Sequence, residues 1–128
     1  MREILFRGKN FGGKWEYGVP VFTGLNNELA FMKQMHSYDH QVIPKTVGQY
    51  TGLRDKNGAK IFEGDICRNT RTGEIVSVKW HGTMAGYVWS KRKENGCLFE
   101  FGELFRAYDK YEIIGNIHDN PELMEVSA

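Results

Sequence analysis

Apolar positions along the chain recur mostly at every second residue, which is the period of a strand rather than of a helix. "REILFR" sets Ile4 and Phe6 on one side of Leu5, and "KNFGGKWEYG" passes through a Gly-Gly turn into Trp15, Tyr17 and Val19 at alternate positions. This spacing predicts a hairpin. Pro20 and "TGLNNE" mark the next break, where Asn26 and Asn27 can take left-handed backbone angles. The stretch 28–42 carries two patterns at once: Leu29, Met32 and Met35 fit a helical stripe, while Ala30 and Phe31 fit a strand. Pro44 holds Ile43 extended, so "TVGQYTGL" reads as a strand.

From Tyr50 to Ile66 the chain reads "YTGLRDKNGAKIFEGDI", with three glycines and an acidic cluster. Asn57-Gly58 supplies residues that tolerate positive φ, and Asp55 can accept hydrogen bonds from the backbone amides that follow it. A second reversal is expected at Gly64, between Glu63 and Asp65. These six residues are therefore read as turn-makers. Beyond them come "DICRN", then "EIVSVKWH" with Val76, Val78 and Trp80 on one face and Ser77, Lys79 and His81 on the other. "YVWSKR", "CLFEF" and "YEIIGNIH" follow, separated by glycine-containing turns. Short strands at this interval suggest a small SH3-like antiparallel barrel. "DNPELMEV" sets Asn120 as a cap and Pro121 at the first helical position, predicting a short C-terminal helix.

The resulting fold class is mainly β: an N-terminal β-hairpin lobe over residues 1–48, then the barrel and short helix over 49–128, with one compact unit as the alternative. Composition agrees. Of 128 residues, 41% are hydrophobic and 13% aromatic, too apolar for a disordered chain, and fifteen glycines against three prolines suit many tight turns. No apolar run reaches the roughly 20 residues of a membrane helix, and the first residues lack the pattern of a secretory signal. A cytoplasmic location without membrane contact is the expectation. Cys67 and Cys97 lie far apart and fit reduced thiols better than a disulfide framework.

The formal charge of +1 conceals an uneven distribution. Residues 67–93 hold Arg68, Arg71, Lys79, Lys91, Arg92 and Lys93 against Glu74 alone, whereas 94–128 are acid-rich. Arg68, Arg71, Lys79, Lys91 and Arg92, close in sequence to Tyr87 and Trp89, are candidates for a nucleic-acid face. The competing reading buries the rings of Trp80, Tyr87 and Trp89 and leaves the cations as a solvated surface.

Catalytic motifs are weaker. Neither G-x-x-x-x-G-K-[ST] nor G-x-G-x-x-G occurs, Ser37, Ser77 and Ser90 have no nucleophile elbow, and Glu63 and Asp65 are accounted for by a turn. His36 and His40 flank Asp39 in "HSYDH" and could join Cys67 and Cys97 around zinc, but no compact ligand spacing supports that set. No cofactor and no catalytic residue is assigned. A metal-dependent hydrolase is kept as the third alternative.

Three blocks, "REILFRG", "VGQYTGLRDKNGAKIFEGDI" and "YEIIGNIHDNPELM", resemble the YopX family of small phage and prophage proteins. The resemblance implies a β-rich fold with a barrel-like C-terminal part and assembly into symmetric homo-oligomers. It supplies no catalytic residues. The expected role is a non-enzymatic one exercised through protein contacts, with nucleic-acid binding as the alternative.

Overall fold

The computed structural model describes residues 3–35, 37–83, 85–92, 98–103 and 108–125, with backbone alone at 92 and 98–103. It contains eleven strands among the described residues: β1 (Phe6–Lys9), β2 (Trp15–Thr23), β3 (Leu29–Lys33), β4 (His40–Val42), β5 (Gly48–Arg54), β6 (Lys60–Phe62), β7 (Asp65–Asn69), β8 (Ile75–His81), β9 (Gly86–Arg92), β10 (Leu98–Glu103) and β11 (Tyr111–Asn116). Two sheets result, in the orders β4-β3-β2-β1-β5-β6 and β10-β9-β8-β7-β11. The mainly-β expectation is met. The chain divides into two compact units, residues 1–52 and 53–128.

In the first unit β1 pairs antiparallel with β2 and with β5, β2 with β3, and β3 with β4. Within 28–42, Leu29–Lys33 and His40–Val42 thus resolve as strands. The helical stripe through Leu29, Met32 and Met35 does not form: alternation puts Ala30 and Met32 on the buried face, while Met35 lies beyond β3, 91% exposed. The core is small. Ala30, Met32 and Val42 are buried, and Phe6 and Val47 pack against them. Asn27 takes the left-handed conformation expected of it, at φ 54°. The strand predicted through "REILFR" begins only at Phe6, and Ile4 stays exposed.

Within the second unit β7 to β10 form an antiparallel meander, and β11 returns to pair with β7. Its core joins Ile61, Cys67, Val76, Val78, Trp89 and Tyr111. Trp89 and Tyr111 stack with ring centroids 4.1 Å apart. The sheet is buried on its other side too, at Ile66, Val88 and Ser90, and a 3-10 turn at Pro121–Met124 packs on β8 with Met124 buried. Val76, Val78 and Trp80 share a face as expected. Trp80, at the strand's outer end, remains 46% exposed and lies edge-on to Tyr87.

Two expectations hold in coarser form. Among the described residues the second sheet is a five-strand antiparallel ladder with β10 and β11 at its ends. In place of a C-terminal helix there is the single 3-10 turn. Its physical reason is local: the Asn120 carboxamide makes no capping bond and instead accepts the Asn116 N–H at 3.3 Å, and Glu125 is already extended at ψ 141°.

Candidate functional site

Asp55 opens the reversal between β5 and β6, and its buried carboxylate is an acceptor for three backbone amides. Oδ1 takes the N–H groups of Asn57 and Ala59, each at 2.9 Å, and Oδ2 takes that of Ile113 at 2.9 Å. The main chain closes the same turn, with Asp55 N–H donating to Ala59 at 2.8 Å and Gly58 N–H to Asp55 at 3.0 Å. Gly58 sits at φ 85°, a conformation that costs a residue with a Cβ about 1–2 kcal/mol. Lys56 N–H then donates to the Tyr111 carbonyl at 2.9 Å. Among the described residues β11 pairs with β7 on one side only, so its outward N–H and C=O at Ile113 and Tyr111 would otherwise be an open sheet edge. The turn covers that edge.

The second reversal works in the same way. Gly64 has φ 91°, its N–H donates to Val78 at 2.9 Å, and its carbonyl accepts the Ile117 N–H at 2.9 Å. Asp65, 2% exposed, accepts the Phe62 N–H through Oδ2 at 2.7 Å and closes the turn across Glu63 and Gly64. The Asp65 carboxylate thus holds the reversal together. Next to it, burial pushes the Cys67 thiol well above its ordinary range, and the negative charges of Asp65 and Asp55 push in the same direction. Cys67 is therefore a protonated core residue and a poor metal ligand or nucleophile.

The five basic candidates are not gathered on one surface. Arg68 on β7 and Lys79 on β8 share a face by strand register, whereas Lys91 on β9 projects from the opposite face. Arg68 pairs with Glu112, its register partner on β11, and Lys91 Nζ lies 2.9 Å from Glu74 Oε2. Arg71 stands exposed in the β7–β8 turn, and the Arg92 side chain lies outside the described residues. Of the aromatic residues near them in sequence, Trp89 is buried at 1% and committed to the core.

One constellation escaped the sequence reading because its members are brought together by strand pairing. Ser37 Oγ lies 3.3 Å from His40 Nε2, and His40 Nδ1 lies 3.8 Å from Glu16 Oε2. The order hydroxyl, imidazole, carboxylate is that of a nucleophilic triad. However, 3.8 Å is beyond hydrogen-bond reach, and Glu16 is already held by Asn10 Nδ2 at 3.0 Å and Gln34 Nε2 at 3.1 Å. Its evident effect is to fasten the segment before β4 to β2. Among the described residues no three His, Cys, Asp or Glu side chains converge as a metal site. His36 and Cys97, half of the zinc set considered from sequence, lie outside those residues.

A further feature absent from the sequence reading is the outward face of the β2–β3 hairpin. Tyr17, Val19 and Val21 alternate along β2 with 45%, 50% and 40% of their surfaces exposed, and Leu29 on β3 adds 39%. A solvent-facing side of an antiparallel sheet is ordinarily polar. The alternation was legible; which of the two faces would lie inward was not.

Comparison with known proteins gives one family and one fold. The family model described as "YopX protein" matches residues 19–125. No curated protein matches the chain. Among solved structures, the crystal structure of protein EF1440 from Enterococcus faecalis is similar, with a TM-score of 0.60 and 23% identity over 98% of this chain and 100% of that one. At that identity the likeness concerns the fold.

Proposed function

The chain belongs to the YopX family, and from that premise we propose that it is a non-enzymatic, self-associating protein of phages and prophages, acting through protein contacts in the bacterial cytoplasm. The observation that carries this reading is the apolar surface that the first unit turns to solvent. Among the described residues, Ile4, Phe11, Tyr17, Val19, Val21, Phe22, Leu25, Leu29, Met35 and Tyr38 are exposed in the first unit, against Trp80 and Ile117 in the second. So much apolar surface beside so small a core favours burial against another protein surface.

We read the second unit as SH3-like in connectivity, a four-strand meander whose fifth strand returns through the 3-10 turn Tyr108–Lys110 to lie beside the first. Its two reversals, at Asp55–Ala59 and Phe62–Asp65, serve the architecture. The pairing of Arg68 with Glu112 and of Lys91 with Glu74 leads us to rank protein contacts ahead of nucleic acid. Light scattering at micromolar concentration tests the proposal. A mass that is a multiple of 14.8 kDa is expected, and a monomer throughout would overturn it.

A further inference from the structure

We propose that Asn57 is a site of spontaneous deamidation, and that the turn around it converts this one covalent change into an opening of the β11 edge. The inference is independent of self-association. Asn57 and Gly58 are exposed in the reversal between β5 and β6. Asn57 is tied to that turn through its backbone N–H, and among the described residues no hydrogen bond holds its carboxamide. Gly58 has no side chain to shield its nitrogen, and nothing lies within 4 Å of the place a Cβ would take. The other described asparagines lack one or both of these conditions. Asn10, Asn69, Asn116 and Asn120 have their side-chain oxygens engaged by backbone amides, and Asn26 and Asn27 are each followed by a residue whose side chain hinders attack. Asn95-Gly96 repeats the dipeptide and lies outside the described residues.

The reaction needs only water. The Gly58 nitrogen attacks Asn57 Cγ, the new N–C bond forms as the carboxamide C–N bond breaks, and ammonia leaves with the proton of the Gly58 N–H. Water then opens the cyclic imide, and no electrons are gained or lost. Opening at Cγ leaves aspartate in a normal chain. Opening at the main-chain carbonyl leaves isoaspartate, whose backbone runs through Cβ and Cγ and is longer by one methylene, about 1.5 Å. That length enters a turn closed by Asp55 N–H to Ala59 at 2.8 Å, Gly58 N–H to Asp55 at 3.0 Å and Ala59 N–H to Asp55 Oδ1 at 2.9 Å. Bonds of this kind do not survive such a displacement. Asp55 then loses the partners that orient it, and its Oδ2 is the acceptor for the Ile113 N–H on β11. An aged chain thus presents an uncovered strand edge, open to pairing with another chain.

The test incubates the folded full-length chain for weeks in mildly alkaline buffer at physiological temperature, with urea-unfolded chain as the positive control. Asp-N protease cleaves ahead of Asp55 and Asp65, so the peptide over 55–64 reports Asn57 separately from Asn95. The same protease cuts at a new aspartate but not at isoaspartate, which tells the two products apart. In the folded chain the 55–64 peptide is expected to gain the mass of an amide-to-acid exchange, mostly as isoaspartate. Exchange of the Ile113 amide hydrogen, followed by NMR, should be several-fold faster in the aged fraction than in fresh protein. Asn57→Gln keeps the backbone N–H and forms a cyclic imide far more slowly, so it should keep both its mass and its Ile113 rate over the same period. No mass gain at 55–64 in the folded chain while the unfolded control gains it would overturn the site. Isoaspartate at 57 with an unchanged Ile113 rate would overturn the edge opening, as would an Asn57→Gln chain that loses Ile113 protection as fast as wild type.

Discussion

The two units differ in how their described residues deal with apolar surface and sheet edges, and the difference is the basis of the reading proposed above. Among the described residues of the second unit, six buried side chains form one cluster, a 3-10 turn covers the back of β8, and a turn caps the outward edge of β11. The first has a buried cluster of Ala30, Met32 and Val42 and turns an alternating Tyr-Val-Val strip towards solvent. A sheet unit that satisfies its own backbone and core is a scaffold. One that leaves an apolar face uncovered is suited to a partner.

The largest expected effect compares those two regions directly. Trp89→Ala should cost about 3–5 kcal/mol in denaturant unfolding, because a stacked, fully packed ring leaves a cavity. Val19→Ala, measured at a concentration where the chain is monomeric, should stay within about 0.5 kcal/mol. Similar losses for both would erase the contrast. Asp55→Ala comes next, at about 3 kcal/mol, since three amides lose their acceptor and one of them belongs to the edge of β11. Exchange of the Ile113 amide hydrogen should accelerate in that variant. An unchanged rate would remove the edge-capping role.

Smaller effects sharpen the picture of the scaffold. Burial raises the Cys67 thiol above its unfolded value of about 8.5, so above that pH the unfolded chain releases a proton that the folded one retains. The stabilisation is complete below about pH 8.5 and declines as pH rises, by up to about 1.4 kcal/mol per unit. Cys67→Ala should flatten this part of the stability–pH curve. If it leaves the slope as it was, the thiol is not buried as described. Least of all, a double-mutant cycle on Arg68 and Glu112 should give a coupling below about 1 kcal/mol, as expected for a solvent-exposed pair. Coupling of several kcal/mol would mean that this pair is far better shielded than its exposure implies.

Local chemistry carried most of the fold. Positive φ at Gly58 and Gly64 follows from their turn sequences, and the alternation of Val76 and Val78 names the side of β8 that meets Trp89 in the core. What stayed hidden depends on pairing between distant segments. Ile113 donates to Asp55 across 58 residues, and Arg68 meets Glu112 across 44, so neither the edge cap nor the neutralised cation can be read from spacing. Residues 28–42 were undecided because Leu29, Met32 and Met35 satisfy a helical period while tertiary pairing with β2 imposes a strand. Period-two alternation at Tyr17 and Val19 defines two faces but does not say which will be covered.

Hydroxyl-radical footprinting across a range of protein concentrations tests the contrast between the units most directly. Side-chain oxidation at Tyr17, Val21 and Leu29 should fall as concentration rises, while Trp80, exposed to a similar degree on the other unit, should react at a constant rate. Equal protection of both regions, or none in either, would contradict the assignment of the first unit's outward face as the place of contact.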